Sequence, residues 1–454
     1  MRRQCLDDLP DEVLIRIMSL LAWSRDLNPS SLVSKRWAQL ARLVTHYSLE
    51  SSSRDVEQGL IRWFGHNDLR QLSIRFQQSC TRWLHQIGKG LHSVTIYGGP
   101  QHKFEDFWSN ISACQELRCL HVHVTQLGST LGNATLPSPL LPNLLFLSFH
   151  RPINVTVLQQ LLEICPSLLV VRMNTIVVSS PGTYVLKSRS LDSCQSEFCE
   201  GDGRDNFTLA LDTPKLRWMF FVVPRIQLQP TTCNVEWIRV RESMRHIQGL
   251  RYSRLKKIIF LNPFSSPAQV MDKVALCRTL SLKKFYFCIF DDGIPPCSID
   301  LVALLEPFQG LEEFIVSFIS IKQLYVANWS SMEKPLTVRV EFVHTKHIWE
   351  RNGLELEFVR GLVERSSGTK VELKCVYWTN KDASPQIPAL LEEFAREHPG
   401  RVKLQPLQWV PRSDCGMLWR SWQESVESEA PYAAIDHWCR GMHESHSHIP
   451  CGWQ

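Results

Sequence analysis

Long apolar runs are what this chain most clearly lacks. No stretch approaches the ≈ 20 consecutive apolar residues that a membrane-spanning helix needs. The longest candidates are broken by Arg172 and by Arg217 with Pro224. The leading MRRQCLDDLP is basic with no apolar segment behind it, so it does not read as a secretory signal. A paired cysteine framework is also missing: the 15 cysteines are scattered and odd in number. Without a signal for secretion they read as reduced thiols. The N-x-S/T triplets at Asn110, Asn133, Asn154, Asn206 and Asn328 then carry no sugar. The expected location is cytoplasmic and/or nuclear, with no membrane partner. An excess of one charge is absent too, since 50 Lys+Arg against 45 Asp+Glu leaves +5 over 454 residues. That balance does not argue for nucleic acid. The local run Arg251, Arg254, Lys256 and Lys257 reads as a solvated face. Finally, GxSxG, HExxH and P-loop signatures are all missing, so the expectation is a non-catalytic protein without a cofactor.

What is present begins at Leu9. Pro10 suits a first helical position, where its missing N–H would be unpaired anyway. Asp11 and Glu12 put negative charge at the positive end of a helix dipole. Val13, Leu14, Ile17, Leu20 and Leu21 recur at helical spacing. Asp26 caps a second short segment with Leu32 and Val33, and Lys35-Arg36-Trp37 opens a third with Leu40, Leu43 and Val44 on its apolar side. Three helices in so few residues cannot bury this apolar surface alone, so a partner or the rest of the chain must cover it.

These residues resemble the F-box motif: Leu9-Pro10, Glu12, Leu14, Ile17, Leu20-Leu21, Asp26-Leu27 and Leu32-Val33-Ser34-Lys35-Arg36-Trp37 with Leu40-Ala41. Pro29, near the start of the second helix, is a departure. The resemblance implies docking onto a Skp-family adaptor and, through it, a cullin-RING ligase. The residues implied to dock, or to hold the docking surface, are Leu9, Pro10, Leu14, Ile17, Leu32, Val33 and Trp37. Glu12 and Lys35 tune helix ends and rim contacts.

Beyond this stretch one pattern recurs: apolar, two residues, apolar, one residue, apolar. It runs through Val44/Tyr47/Leu49, Leu69/Leu72/Ile74, Leu91/Val94/Ile96, Leu117/Leu120/Val122, Leu144/Leu147/Phe149 and Leu168/Val171/Met173. The starts lie 25, 22, 26, 27 and 24 positions apart. Further copies begin at Leu216, Leu255, Leu282 and Leu311. Apolar residues at i and i+2 imply a strand with one buried face. Fillers with helical periodicity lie between, including 104–111, 155–164, 299–308, 354–365 and 387–398. Strand, filler, strand in one direction requires crossovers and hence parallel strands. The period falls within the 20–29 residues of leucine-rich repeats. The region 179–206, rich in Ser, Gly, Asp and Cys, reads as a looped insertion.

The pattern resembles degenerate leucine-rich repeats, with Cys165-Pro166-Ser167-Leu168 close to the style of such repeats that follow an F-box. The expected fold class is α/β: a three-helix F-box over 1–45, then a solenoid over 46–410 with a curved parallel sheet inside and helices outside. A capping or flexible His/Cys-rich tail occupies 411–454. The combination resembles F-box/leucine-rich-repeat substrate receptors of SCF-type ubiquitin ligases, with the repeats holding a substrate protein. The competing expectation is a leucine-rich-repeat scaffold that never joins a ligase.

If the apolar positions face inward, the alternate residues face a ligand. One lateral row is then Ser73, Thr95, His121, Ser148, Arg172, Phe220, Ile259, Tyr286 and Ile315. The other is Arg75, Tyr97, His123, His150, Asn174, Val222, Leu261, Cys288 and Ser317. Arg supplies bidentate donors for carboxylate or phosphate, and three histidines side by side would make binding pH-sensitive near 6.5. The candidate substrate contacts are Arg75, Tyr97, His121, His123, His150 and Arg172 for an acidic or phosphorylated segment. Phe220, Leu261 and Tyr286 are candidates for an apolar anchor. His437, Cys439, His443, His446, His448 and Cys451 have ligand chemistry but match no zinc-finger spacing, so no metal is expected.

Overall fold

The computed structural model describes residues 9–20, 34–41, 43–44, 46–51, 70–76, 84, 88–98, 104–123, 141–150, 152–200, 206–221, 223–232, 234–240, 246–249, 255, 257–260, 271–272, 282–287, 299–308, 310–317, 324–325, 336–344, 354–365, 369–379, 386–405 and 408–411. The chain divides into two compact units, within Met1–Thr232 and within Cys233–Arg440.

Unit 1 opens with helices α1 (Asp11–Leu20) and α2 (Lys35–Ala41). The amides of Val13 and Leu14 donate to the Pro10 carbonyl at 3.1 Å each, so Pro10 starts α1 without needing a donor of its own. Ser34 caps α2, its Oγ accepting from the Trp37 amide at 3.2 Å. Leu14 and Met18 of α1 are buried with Trp37, Leu40 and Ala41 of α2. The two helices touch along this seam. The expected middle helix, with Leu32 and Val33, lies outside the described residues.

The strands of unit 1 are β1 (His46–Ser51), β2 (Gln71–Phe76), β3 (Ser93–Gly98), β4 (Cys119–His123), β5 (Phe146–Phe149), β6 (Ile153–Asn154), β7 (Val170–Val177), β8 (Gly182–Lys187), β9 (Ser193–Glu200), β10 (Phe207–Asp212), β11 (Trp218–Phe221) and β12 (Arg225–Leu228). β1, β2, β3, β4, β5, β7, β9 and β11 pair in that order, all parallel. The register aligns Leu72, Val94, Leu120, Leu147, Val171, Cys194 and Met219 in one buried column. Five coils enter their strands through the same turn. The amides of Leu91, Leu117, Leu144, Leu168 and Leu216 donate to the carbonyls of Gly88, Cys114, Leu141, Cys165 and Thr213 at 3.0–3.3 Å. The turn-opening residues stack coil on coil, and a Cβ at Gly88 would stand 2.6 Å from the Cys114 Sγ. Glycine is therefore set by the cysteine of the next coil.

Two expectations are corrected here. The region 179–206 is not a looped insertion: β8 and β9 run through it, and β9 is a full rung of the ladder. Nor is the layer behind the main sheet a row of repeat helices. From 170 to 228 the chain alternates between two parallel sheets, the main ladder taking β7, β9 and β11 and a second taking β8, β10 and β12. Leu186, Leu211 and Leu228 align in the second sheet and are buried. Alternation of period two, as in FTLALD, is strand chemistry, and helix chemistry would need a period of 3.6. In unit 1 beyond the α1–α2 pair, α-helices among the described residues are α3 (Phe104–Ile111) and α4 (Val155–Ile164). The fold is a mostly parallel β-solenoid with little intervening helix, not a leucine-rich-repeat solenoid with helices along its outside.

Unit 2 carries β13 (Trp237–Val240), β14 (His246–Gln248), β15 (Lys257–Phe260), β16 (Lys284–Phe287), β17 (Ile299–Asp300), β18 (Glu313–Ser317), β19 (Leu324–Tyr325), β20 (Thr337–His344), β21 (Lys370–Thr379), β22 (Val402–Leu404) and β23 (Gln408–Pro411). β13, β15, β16, β18, β20 and β21 form a parallel ladder, and β22 and β23 both pair with β21. Phe285, Phe314, Val338, Val371 and Val402 align as its buried column. Phe285 stands 5.5 Å from Phe314 and 5.2 Å from Phe308, ring centre to ring centre. Helices here are α5 (Leu301–Leu305), capped by the Asp300 carboxylate, α6 (Leu354–Arg365) and α7 (Gln386–Glu397). Of the expected tail over 411–454, Pro411 ends β23 and the rest lies outside the described residues.

Candidate functional site

Two places in unit 1 hold most of the candidate residues. The first is the surface of the α1–α2 pair. The expected docking residues fall into three groups. Leu14 and Trp37 are core, holding α1 to α2. Leu9 and Ile17 are half-buried and Pro10 is exposed. Leu32 and Val33 lie outside the described residues. The expected docking set left out two apolar residues of the helical faces that stand exposed: Val13 at 42% and Leu43 at 59%. Spacing at i, i+3 and i+7 puts Pro10, Val13 and Ile17 on one side of α1, next to the face that holds Leu14 and Met18. Arg36, part of the motif run but given no role of its own, has one here. Its guanidinium donates to the Asp11 carboxylate, at 2.9 Å through Nε, and to the Leu9 carbonyl at 2.7 Å. It thus ties the start of α1 to the start of α2. Exposed pairs add little stability, so the effect of this clamp is on geometry.

The second place is the outward face of the main sheet. Ser73, Thr95, His121, Ser148, Arg172, Gln195 and Phe220 occupy one row in unbroken register. Gln195 is the member that the loop expectation missed. Arg75, Tyr97 and His123 align in the next row. His150 follows β5 and donates its amide to the Val122 carbonyl at 3.0 Å. That bond brings its ring over His123, centroids 3.6 Å apart and planes 14° from parallel. Ser148 Oγ lies 3.3 Å from His150 Nε2. His121 is buried at 5% exposure, its ring 4.9 Å from that of Phe146. The Arg172 guanidinium carbon sits 5.7 Å from the centre of the same Phe146 ring. That is within cation–π range, which favours a cation over the ring face. The sequences of β2, β3, β4, β5 and β7 contain no Asp or Glu. The structure therefore brings His121, His123, His150 and Arg172 together around Phe146 and Ser148, on strands without an acidic residue. Phe146 was not anticipated, although its place two residues before Ser148 puts it on the same face.

The expected apolar anchor does not form. Phe220 and Tyr286 are exposed by only 3% and 4%, and Leu261 lies outside the described residues. Among the described residues no group of three or more His, Cys, Asp or Glu is placed to hold a metal ion. No helix among them is long and apolar enough to cross a membrane. Cys114, Cys119, Cys165, Cys194 and Cys199 are free thiols. Burial pushes the Cys114 and Cys165 thiols up to about 12 and raises Cys194 further. These are packing groups and not nucleophiles, because the thiolate is the reactive form.

The outward face of unit 2 contrasts in charge. Lys284 Nζ lies 3.1 Å from Glu313 Oε2, and Arg339 lies 2.9 Å from Glu313 Oε1. Arg339 also reaches Glu372 Oε2 at 3.3 Å, and Gln405 donates to that oxygen at 3.0 Å.

No curated protein matches the chain. The expectation of an F-box/leucine-rich-repeat substrate receptor of an SCF-type ligase is corrected on two grounds: the region behind the helices is a β-solenoid, and the family likeness is confined to the helices. Residues 6–47 match the F-box-like family model, and this short helical segment is the part of the chain that the family accounts for.

Proposed function

We propose that the α1–α2 module is a protein-docking element whose partner is a Skp-family adaptor, and that its role is binding, not catalysis. The observation that carries this is an apolar surface left over after the module's own core is complete. Leu14, Met18, Trp37, Leu40 and Ala41 are already buried, yet Pro10 and Val13 are exposed on α1 and Leu43 is exposed past the end of α2. Apolar side chains exposed among polar groups such as Asp11, Glu12 and Lys35 are the ordinary material of an interface. The F-box-like match over the same residues supports a Skp-family adaptor as occupant, and a cullin–RING assembly is what such an adaptor would connect to.

The test is co-elution of the full chain with a Skp-family adaptor, followed by titration. Val13→Asp leaves the core untouched and places a charge in the patch. It should weaken adaptor binding by at least about tenfold, the effect of burying an unpaired charge at an interface. Binding of Val13→Asp at wild-type strength would refute the docking surface. Leu14→Ala is uninformative for docking, because it empties a core position and acts through folding.

A further inference from the structure

We infer that Arg36 is a positioning residue for adaptor docking: it grips the chain on both sides of Pro10 and so presents the Leu9–Pro10 end of α1 to the adaptor in one fixed geometry. The inference rests on the docking reading above. It adds a residue that acts on binding through its neighbours and not through the apolar surface itself.

Arg36 Nε donates to Asp11 Oδ1 at 2.9 Å. Its Nη2 donates to the Leu9 carbonyl at 2.7 Å and to the same Asp11 oxygen. Leu9 and Asp11 are the chain neighbours of Pro10, so one guanidinium spans the proline. Pro10 has no N–H with which to tie itself down. Its carbonyl opens α1 by accepting from the Val13 and Leu14 amides. Those two bonds fix the first turn of the helix but not the residue before the proline. Among the described residues, the hydrogen bond that reaches the Leu9 backbone comes from Arg36.

The core and the guanidinium hold different things. Leu14, Met18, Trp37, Leu40 and Ala41 are buried and already join the two helices. The ion pair is open, with the side chains of Arg36 and Asp11 exposed by 38% and 56%. A pair so exposed contributes little to folding. The core therefore decides that α1 and α2 pack, and Arg36 decides where the entrance of α1 lies. That entrance leads into the outward side of the helix, since Pro10, Val13 and Ile17 share one side of α1.

The chemistry of arginine suits this task. Guanidinium is a planar fork of donors that can hold a carboxylate and a carbonyl together, whereas lysine offers a point charge on a flexible stem. A surface ordered before its partner arrives loses less entropy on binding. Freeing one residue that binding must order again costs roughly a factor of ten in affinity.

The experiment titrates the full chain with a purified Skp-family adaptor. The variants are Arg36→Gln, Asp11→Ala, the double variant and Arg36→Lys. Arg36→Gln and Asp11→Ala should each weaken adaptor binding about tenfold. The double variant should bind about as well as either single one, because both break the same link. Arg36→Lys should fall between wild type and Arg36→Gln. In the free chain, hydrogen exchange at the Val13 and Leu14 amides should quicken in both single variants while the urea midpoint stays at the wild-type value. Additive losses would mean that Arg36 and Asp11 each touch the adaptor, and would overturn the proposal. So would wild-type binding by Arg36→Gln, or a urea midpoint that falls in step with binding. The Val13→Asp titration separates the two readings. Weak binding by Val13→Asp with full binding by Arg36→Gln overturns the positioning role alone. Full binding by Val13→Asp removes the docking surface and the positioning role with it.

Discussion

The outward sheet faces of the two units are built on the same parallel register and are held together differently. In unit 2 successive strands alternate sign, and Lys284, Glu313, Arg339 and Glu372 neutralise one another across β16, β18, β20 and β21. In unit 1 the corresponding face around β4, β5 and β7 is built from ring contacts, His121 and Arg172 against Phe146 and His123 against His150, with Ser148 beside His150. Parallel ladders place in-register residues side by side, so cross-strand pairs are the unit of stabilisation. A face that completes its own pairs is structural. A face packed ring against ring depends on contact and less on charge.

Breaking the self-neutralised face should have the largest effect. Glu313 is almost buried and serves two bases, so Glu313→Ala removes a carboxylate from both Lys284 and Arg339 and leaves Arg339 with Glu372. A loss of about 3 kcal/mol is expected, the scale for removing one member of a largely buried ion network, read as a lower urea midpoint. The two units also differ in their turn-opening residues, which include Cys114 and Cys165 in unit 1 and Phe308 in unit 2. An unfolded thiol ionises near 9, whereas these ionise at about 12 when folded. The folded state therefore retains protons that the unfolded state releases. Their stabilisation is complete below pH 9 and is lost as pH rises towards 12. By pH 10.5 the urea midpoint should have fallen by the equivalent of roughly 1–2 kcal/mol per thiol. The fall should flatten in a Cys114→Val/Cys165→Val variant. The smallest stability effect belongs to Thr95→Glu, which gives unit 1 a carboxylate in register with His121 and so imitates unit 2. Unfolding free energy, read from the urea midpoint, should change by less than about 0.5 kcal/mol. A larger change would mean that the two faces do not differ in the way described.

Much of the ladder was legible because its inward residues are apolar at fixed spacing. Leu72, Val94, Leu120, Leu147 and Val171 sit in one column, in the order that the repeated pattern places them. The β9 rung escaped because its inward pair is Cys194 and Ser196, both fully enclosed but only one of them apolar. Small residues fill that rung, and the large buried Phe221 stands in register with Ser196, so no single segment shows the volume. The layer behind the sheet was misread for a related reason. A period near 25 residues sets the length of a coil but not whether its return path is helix or strand. At the basic face, His121, His123 and Arg172 follow from strand alternation alone. The contribution of Phe146 depends on which neighbour its ring meets, which pattern cannot supply. On the α1–α2 module, helical spacing identified the apolar residues but could not separate Leu14, turned inward, from Val13, turned out.

The backbone bonds that join each coil of unit 1 only to its neighbours have a mechanical consequence. The amides of His92, Arg118, Leu145, Leu169, Asp192 and Arg217 donate in turn to the carbonyls of Arg70, His92, Arg118, Leu145, Leu169 and Asp192. Tension on such a stack from one end would peel it rung by rung, like stitches from an edge. Each released rung would lengthen the chain by roughly 80 Å, the contour of about 25 extended residues. A force trace from this region would then be a staircase of near-equal steps in place of a single rupture.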